Sequence, residues 1–218
     1  MRCFALRFIR LILAGKGRRG HMPTISFDFE PEKFVAATAF FARAGLPDLS
    51  QMKLAKLLYF ADKRHLLKYG RPIIGDRYVG MKDGPVPSSA YDVMKGATKD
   101  SKSKAWYETR ELFHEYLEVV PATPHPVFAA KREPDLESLS SSDRAVLAAV
   151  ARDMGEMTAS ELRRLAHKEP DYASIEPKLD RGLKQVWMPY WSFFGDADEP
   201  IRSLVLAEQE DRDFFSHL

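Results

Sequence analysis

The sequence predicts an α+β fold that is predominantly α-helical: a single globular domain around one long buried helix (about 51–69), with a small β-sheet. Three observations carry this. Ser50 before the stretch Gln51–Tyr69 and Gly70 and Pro72 after it are start and stop signals for a helix, and the stretch is apolar on more than one side, as in a helix held between layers. Runs with β character are short and local, at Arg77–Met81 and within 115–131. A chain of 218 residues, 45% hydrophobic and 29% charged, can bury one sizeable core.

At about 100° per residue, Leu54, Leu57, Leu58, Ala61 and His65 fall on one face of the central helix, and Ala55, Tyr59 and Leu66 on a second. Lys53, Lys56, Lys63 and Arg64 share a third arc with Phe60 and Leu67, which predicts a basic edge reaching solvent. Lys63, Arg64 and Lys68 lie near the C-terminal end, where the helix dipole favours cations. Asp62 and His65 are three residues apart and so neighbours on the helix surface, but no nucleophile or metal-ligand spacing accompanies them, and His65 is expected to be structural.

The other elements follow in chain order. Pro31 suits the first position of a helix that carries Phe34, Ala37 and Phe41 to about Ala44 and ends at Gly45 and Pro47. After Pro72, Gly75-Asp76 signals a turn, Arg77–Met81 a strand, and Asp83-Gly84-Pro85 a rigid corner. Ser88 or Ser89 can cap a helix with Ala90, Tyr91, Val93 and Met94. Gly96–Ala105 is polar and small and predicts a loop; Tyr116–Val120 and Val127–Lys131 predict paired strands around Pro121, Pro124 and Pro126. Ser140–Asp143 and Thr158–Glu161 have cap spacing before two helices joined at Gly155, a weak helix-turn-helix pattern. On the second helix, Arg163, Arg164, His167 and Lys168 could meet phosphates or bases. Tyr172, Trp187, Tyr190, Trp191, Phe193 and Phe194 form an aromatic stretch expected to be core, and a closing helix is expected to pack Phe214 and Phe215 back.

Charge and cysteine usage exclude several function classes. Residues 1–21 hold Arg2, Arg7, Arg10, Lys16, Arg18 and Arg19 and no acid, against a net charge of +2 for the whole chain, so the body is mildly acidic and poorly suited to non-specific grip on nucleic acid. Arg7 and Arg10 interrupt the apolar core that a secretory signal needs. Residues 1–21 are therefore expected to be a poorly ordered basic extension ahead of a start at Met22, with 22–218 as the domain. The single cysteine, Cys3, excludes an intramolecular disulfide and a Cys-based zinc site and agrees with a cytoplasmic setting. No apolar run approaches the ~18 residues that span a bilayer, so no membrane role is expected. Phosphate loops, zinc spacing and nucleophile elbows are lacking, which predicts no catalytic residues, no metal and no cofactor.

A longer pattern carries a family resemblance. Lys53–Asp62 reads K-L-x-K-L-L-Y-F-A-D, followed by Tyr69–Asp76 as Y-G-R-P-I-I-G-D, Lys82–Val86 as K-D-G-P-V, and Tyr91. In these features, and more loosely in Ala145–Val150, Thr158–Leu162 and His167, the chain resembles the Panacea domain of SocA-type antitoxins and of phage-associated proteins of the GepA type. It departs from the family at Gly80-Met81, where an aromatic residue usually precedes the K-x-G-P element. The resemblance implies a bacterial or phage antitoxin that is not an enzyme and that binds and neutralises a cognate protein toxin, SocA-type members acting as proteolytic adaptors that deliver the toxin to the ClpXP protease. Its candidate partner-binding surface is Tyr78, Lys82, Gly84, Pro85, Val86 and Tyr91. Two alternatives stay open: a DNA-binding regulator that contacts operator DNA through the helix at 159–168, and a phage-associated interaction protein without a toxin partner.

Overall fold

The computed structural model describes residues 25–99 and 101–216, with the side chains of 197 and 210–216 left out. The expectations for residues 1–21 and for the packing of Phe214 and Phe215 lie outside this description. The elements are α1 (Pro31–Arg43), α2 (Gln51–Tyr69), β1 (Tyr78–Met81), β2 (Gly84–Pro87), α3 (Ser88–Lys99), α4 (Lys104–Tyr116), β3 (Leu117–Val120), β4 (Val127–Ala130), α5 (Ser141–Met154), α6 (Ala159–His167), α7 (Pro170–Ala173), α8 (Glu176–Asp180), β5 (Val186–Met188) and α9 (Glu199–Ser216).

No Gly, Pro or β-branched residue interrupts α2, so its nineteen residues carry only side chains that a helix tolerates well. Gly70 ends it in the left-handed region at φ 77°, its N–H donating to the Leu66 carbonyl at 2.9 Å. Ser50 stands at the N-cap position but its hydroxyl accepts no capping bond; instead the chain entering α2 adds to a strand edge, with Phe128 N–H donating to Leu49 O at 3.0 Å and Ser50 bridging Val127. The helix packs against α3, α5, α6, α9 and β2. Every residue from Lys53 to Lys63 is buried, so the predicted solvent-facing basic edge does not exist.

The expected single sheet from 77–81 and 115–131 is instead two. β1 is the centre of an antiparallel sheet in the order β2-β1-β5, and β3 pairs only with β4. Both edges of β1 are occupied, by the hairpin register Val79↔Val86 and by Val79↔Trp187, which leaves no edge for the 117–130 hairpin. Directly paired residues share a face, so Tyr78, Pro87 and Met188 lie on one side of this sheet and Val79, Val86 and Trp187 on the other.

The expected loop at Gly96–Ala105 is also corrected. α3 runs on to Lys99, and α4 begins at Lys104 with Ser103 as its cap, the hydroxyl accepting from Trp106 N–H at 3.2 Å. Trp106, Thr109 and Phe113 then recur at helical spacing on the buried face of α4. Trp106 lies over Gly96, where a Cβ would come within 2.4 Å of its ring. The start of α3 is anchored by Asp76 in place of Ser88 or Ser89: its carboxylate accepts from Ser89 N–H at 3.0 Å, Ala90 N–H at 2.7 Å and its neighbour Arg77 N–H at 2.8 Å. Both predicted capping boxes form, at Ser140/Asp143 before α5 and at Thr158/Glu161 before α6.

Candidate functional site

Three lysines of α2 are buried along one line of the helix, and each head group reaches a different loop. Lys53, 1% exposed, donates to Pro47 O and, at 2.7 Å, to Gly155 O in the α5–α6 turn. Lys56, also 1% exposed, donates to Pro85 O at 2.8 Å. Lys63 donates to Asp171 Oδ1 and to Glu169 Oε2, the latter at 2.7 Å, and Tyr59 Oη donates to the other Asp171 oxygen at 2.6 Å. The alkyl stems pack in the core while the ammonium groups meet carbonyls and carboxylates at its rim. Burial lowers the Lys53 ammonium below its ordinary range despite Asp48 and Glu156, and lowers Lys56 to about 7, with Asp83 opposing and Arg163 adding to the fall.

Lys56 is the floor of a small cluster whose roof is α6. β1 and β2 meet in a two-residue turn, Lys82-Asp83, with Gly84 at φ 99°. A Cβ on Gly84 would sit 3.0 Å from Lys56 Cε and 3.5 Å from the His167 ring, a tight fit at a φ that already favours glycine. Arg163 donates from Nε to Asp83 Oδ1 at 3.0 Å and from Nη2 to Lys82 O at 3.2 Å. Tyr172 Oη donates to Met81 O at 2.7 Å, and its ring lies 4.4 Å from that of His167, whose Nδ1 meets Glu176 at 2.9 Å. His167 Nε2 is buried without a partner among the described residues. Gly80 faces Ile175: a Cβ there would come within 2.1 Å of Ile175 Cδ1.

Beneath the sheet a second polar cluster holds the turn that precedes β1. Asp62 is fully buried and accepts from Ile73 N–H at 2.9 Å, Ile74 N–H at 3.0 Å and Tyr78 Oη at 3.1 Å. Burial raises its carboxyl to about 7 against the pull of those donors. Tyr190 Oη donates to Asp76 O at 2.6 Å, and Tyr59, Tyr78, Tyr190 and Phe193 pack edge to face around this point. His65 does not meet Asp62. Its Nδ1–H donates to Arg71 O at 2.7 Å, and its Nε2 faces Ser142 Oγ and Asp143 Oδ1, each at 3.0 Å. Burial alone would raise Asp143, but the bonds from His65 and Ser140 and the Arg71 guanidinium outweigh it and hold the carboxyl below the usual range.

The two groups of candidate residues named from sequence, far apart in the chain, converge here. Gly84, Pro85 and Val86 are buried in β2, and Tyr78 is 1% exposed with its hydroxyl turned to Asp62. Of the partner-binding set only Lys82 is exposed and Tyr91 half-buried, so these residues chiefly fix the hairpin to α2. Of the nucleic-acid set, Arg163 and His167 are turned onto the hairpin, and Arg164 and Lys168 are exposed. The buried lysines were missed. The signal was present in Phe60 and Leu67, two apolar residues within the arc assigned to solvent. Trp187 and Trp191, expected in the core, are 56% and 40% exposed.

These features define a class: a helical domain whose polar interior is spent on holding a short hairpin and a helix pair in fixed relation. Among the described residues no group of acidic, His or Cys side chains has the arrangement of a metal site, and no helix is long and apolar enough to cross a membrane. The model of the antitoxin SocA-like, Panacea domain family matches residues 54–172, from just past Lys53 to the tyrosine that holds Met81. The chain belongs to that family. No curated protein and no solved structure matches it.

Proposed function

We propose that this protein is the antitoxin of a toxin–antitoxin pair, acting in the cytoplasm without catalysis by binding a cognate protein toxin. The observation that supports this reading is the family match over residues 54–172, which takes in α2, the β1–β2 hairpin and the α5–α6 pair as one connected structure. The function then needs a surface and not a reaction centre. A stable protein complex buries roughly 1,200–2,000 Å², with a few aromatic or Arg anchors giving most of the energy. Within this reading the chain delivers its toxin to the ClpXP protease, as the resemblance to SocA-type members implies.

Co-expression with the neighbouring small reading frame tests the first step. That product alone should arrest growth and this chain should restore it; a harmless product, or arrest that persists, refutes the reading. Toxin half-life tests the second step. It should lengthen when either this chain or the protease is removed, whereas an unchanged half-life leaves sequestration as the mechanism.

A further inference from the structure

We propose that the outward edge of β5 is the toxin-docking site, and that it takes an extended, acidic and apolar segment of the toxin as an added antiparallel or parallel strand. This deepens the antitoxin reading and rests on it. Four observations converge on β5. It is the terminal strand of the order β2-β1-β5, and among the described residues no backbone group of Val186–Met188 bonds to anything on its outer side. An unpaired strand edge is a template for another extended chain. Large apolar side chains are concentrated around it: Leu183 is 55% exposed, Trp187 56% and Trp191 40%, all within nine residues of chain. Trp187 has Val79 as its cross-strand neighbour on the same face, which places an aromatic anchor on an apolar bed.

Charge selects the occupant. Arg181 and Lys184 approach β5 in the chain, and the ladder register sets Lys82 at the same end of the sheet as Lys184 and Arg77 at the other. All four are exposed and make no ion pair among the described residues; against them stand Asp83, already held by Arg163, and Asp180 beside Arg181 in the chain. A net cationic rim around an apolar strand edge favours a segment whose acidic side chains meet the rim and whose apolar side chains cover Trp187.

The test uses the full-length chain and the neighbouring reading-frame product as probe. Titration calorimetry should show Trp187→Glu binding at least tenfold more weakly, with a cooperative melt shifted by only a few degrees because the side chain is more than half exposed. Arg181→Glu with Lys184→Glu should weaken binding several-fold and flatten its salt dependence. Hydrogen exchange should slow at least tenfold at Val186–Met188 in the complex. If the wild type protects cells and binds the toxin, but Trp187→Glu binds within twofold and β5 exchange is unchanged, the docking site is wrong and the antitoxin reading stands. If the wild type neither protects nor binds, the antitoxin reading falls and this site falls with it. A wild-type dimer that Trp187→Glu converts to monomer would assign the edge to a second copy of the chain and overturn the toxin as its occupant.

Discussion

A buried lysine is costly unless its head group is satisfied, and each of the three in α2 meets that demand differently. Lys63 has two carboxylates, Lys53 two carbonyls, and Lys56 the carbonyl of Pro85. Lys63→Met would strand Asp171, whose side chain is fully buried, and should cost about 3–5 kcal/mol in denaturant unfolding. Lys56 leaves a signature in pH instead. Its folded value of about 7 lies below the unfolded 10.5, so between these the unfolded chain binds more protons and stability rises with pH. That contribution is complete above pH 10.5 and lost as pH falls through 7, with a slope of up to about 1.4 kcal/mol per pH unit. Urea melts of Lys56→Met from pH 7 to 10 should show the rise flattened. Asp62 acts in the opposite sense over a lower window: its folded value is raised from 3.8 to about 7, so its contribution is complete below pH 3.8 and lost as pH climbs to 7. At Asp76 the carboxylate satisfies the first amides of α3, and Asp76→Ala should cost about 2–3 kcal/mol.

At the scale of elements, the α3–α4 hairpin depends on the missing side chain at Gly96. Gly96→Ala would gain about 1 kcal/mol of helix propensity, yet its Cβ would lie 2.4 Å from the Trp106 ring; a net loss of about 1–3 kcal/mol is expected in thermal melts. The α6 roof makes a second case. Arg163→Ala removes the bonds to Asp83 and Lys82 O and should lower stability by about 1 kcal/mol, while Arg164→Ala, at an exposed position, should leave it unchanged. Elements with local punctuation were legible in the sequence: α2 through Gly70, α1 through Pro31, and α5 and α6 through their capping boxes. α4 was not, because Lys104–Tyr116 follows a polar stretch and leads directly into β3, so its 3.6-residue period at Trp106, Thr109 and Phe113 was masked by β-type residues beyond it. β5 was hidden for a different reason. Three residues among aromatics carry no alternation, and only pairing with β1 makes them a strand.

Over the whole molecule, the candidate site could be named but not assembled from sequence. Both sets of candidate residues were in hand, yet nothing local says that Arg163 reaches Asp83 across 80 positions or that Tyr172 reaches Met81 across 91. Those contacts exist because α2 draws the hairpin and the α5–α6 turn to its own flank through Lys56 and Lys53. Gly84→Ala tests this coupling. At φ 99° and 3.0 Å from Lys56 it should disturb α2, the hairpin and α6 together, seen as faster hydrogen exchange in all three and not in the β3–β4 hairpin.

β1, β2, Lys56 and Lys63 lie inside residues 54–172, but β5 is drawn from beyond that boundary. The strand that closes one flank of the hairpin is thus supplied by chain outside the matched segment. Under the docking mode proposed above, exchanging residues 181–191 changes partner choice while every position of 54–172 stays as it is.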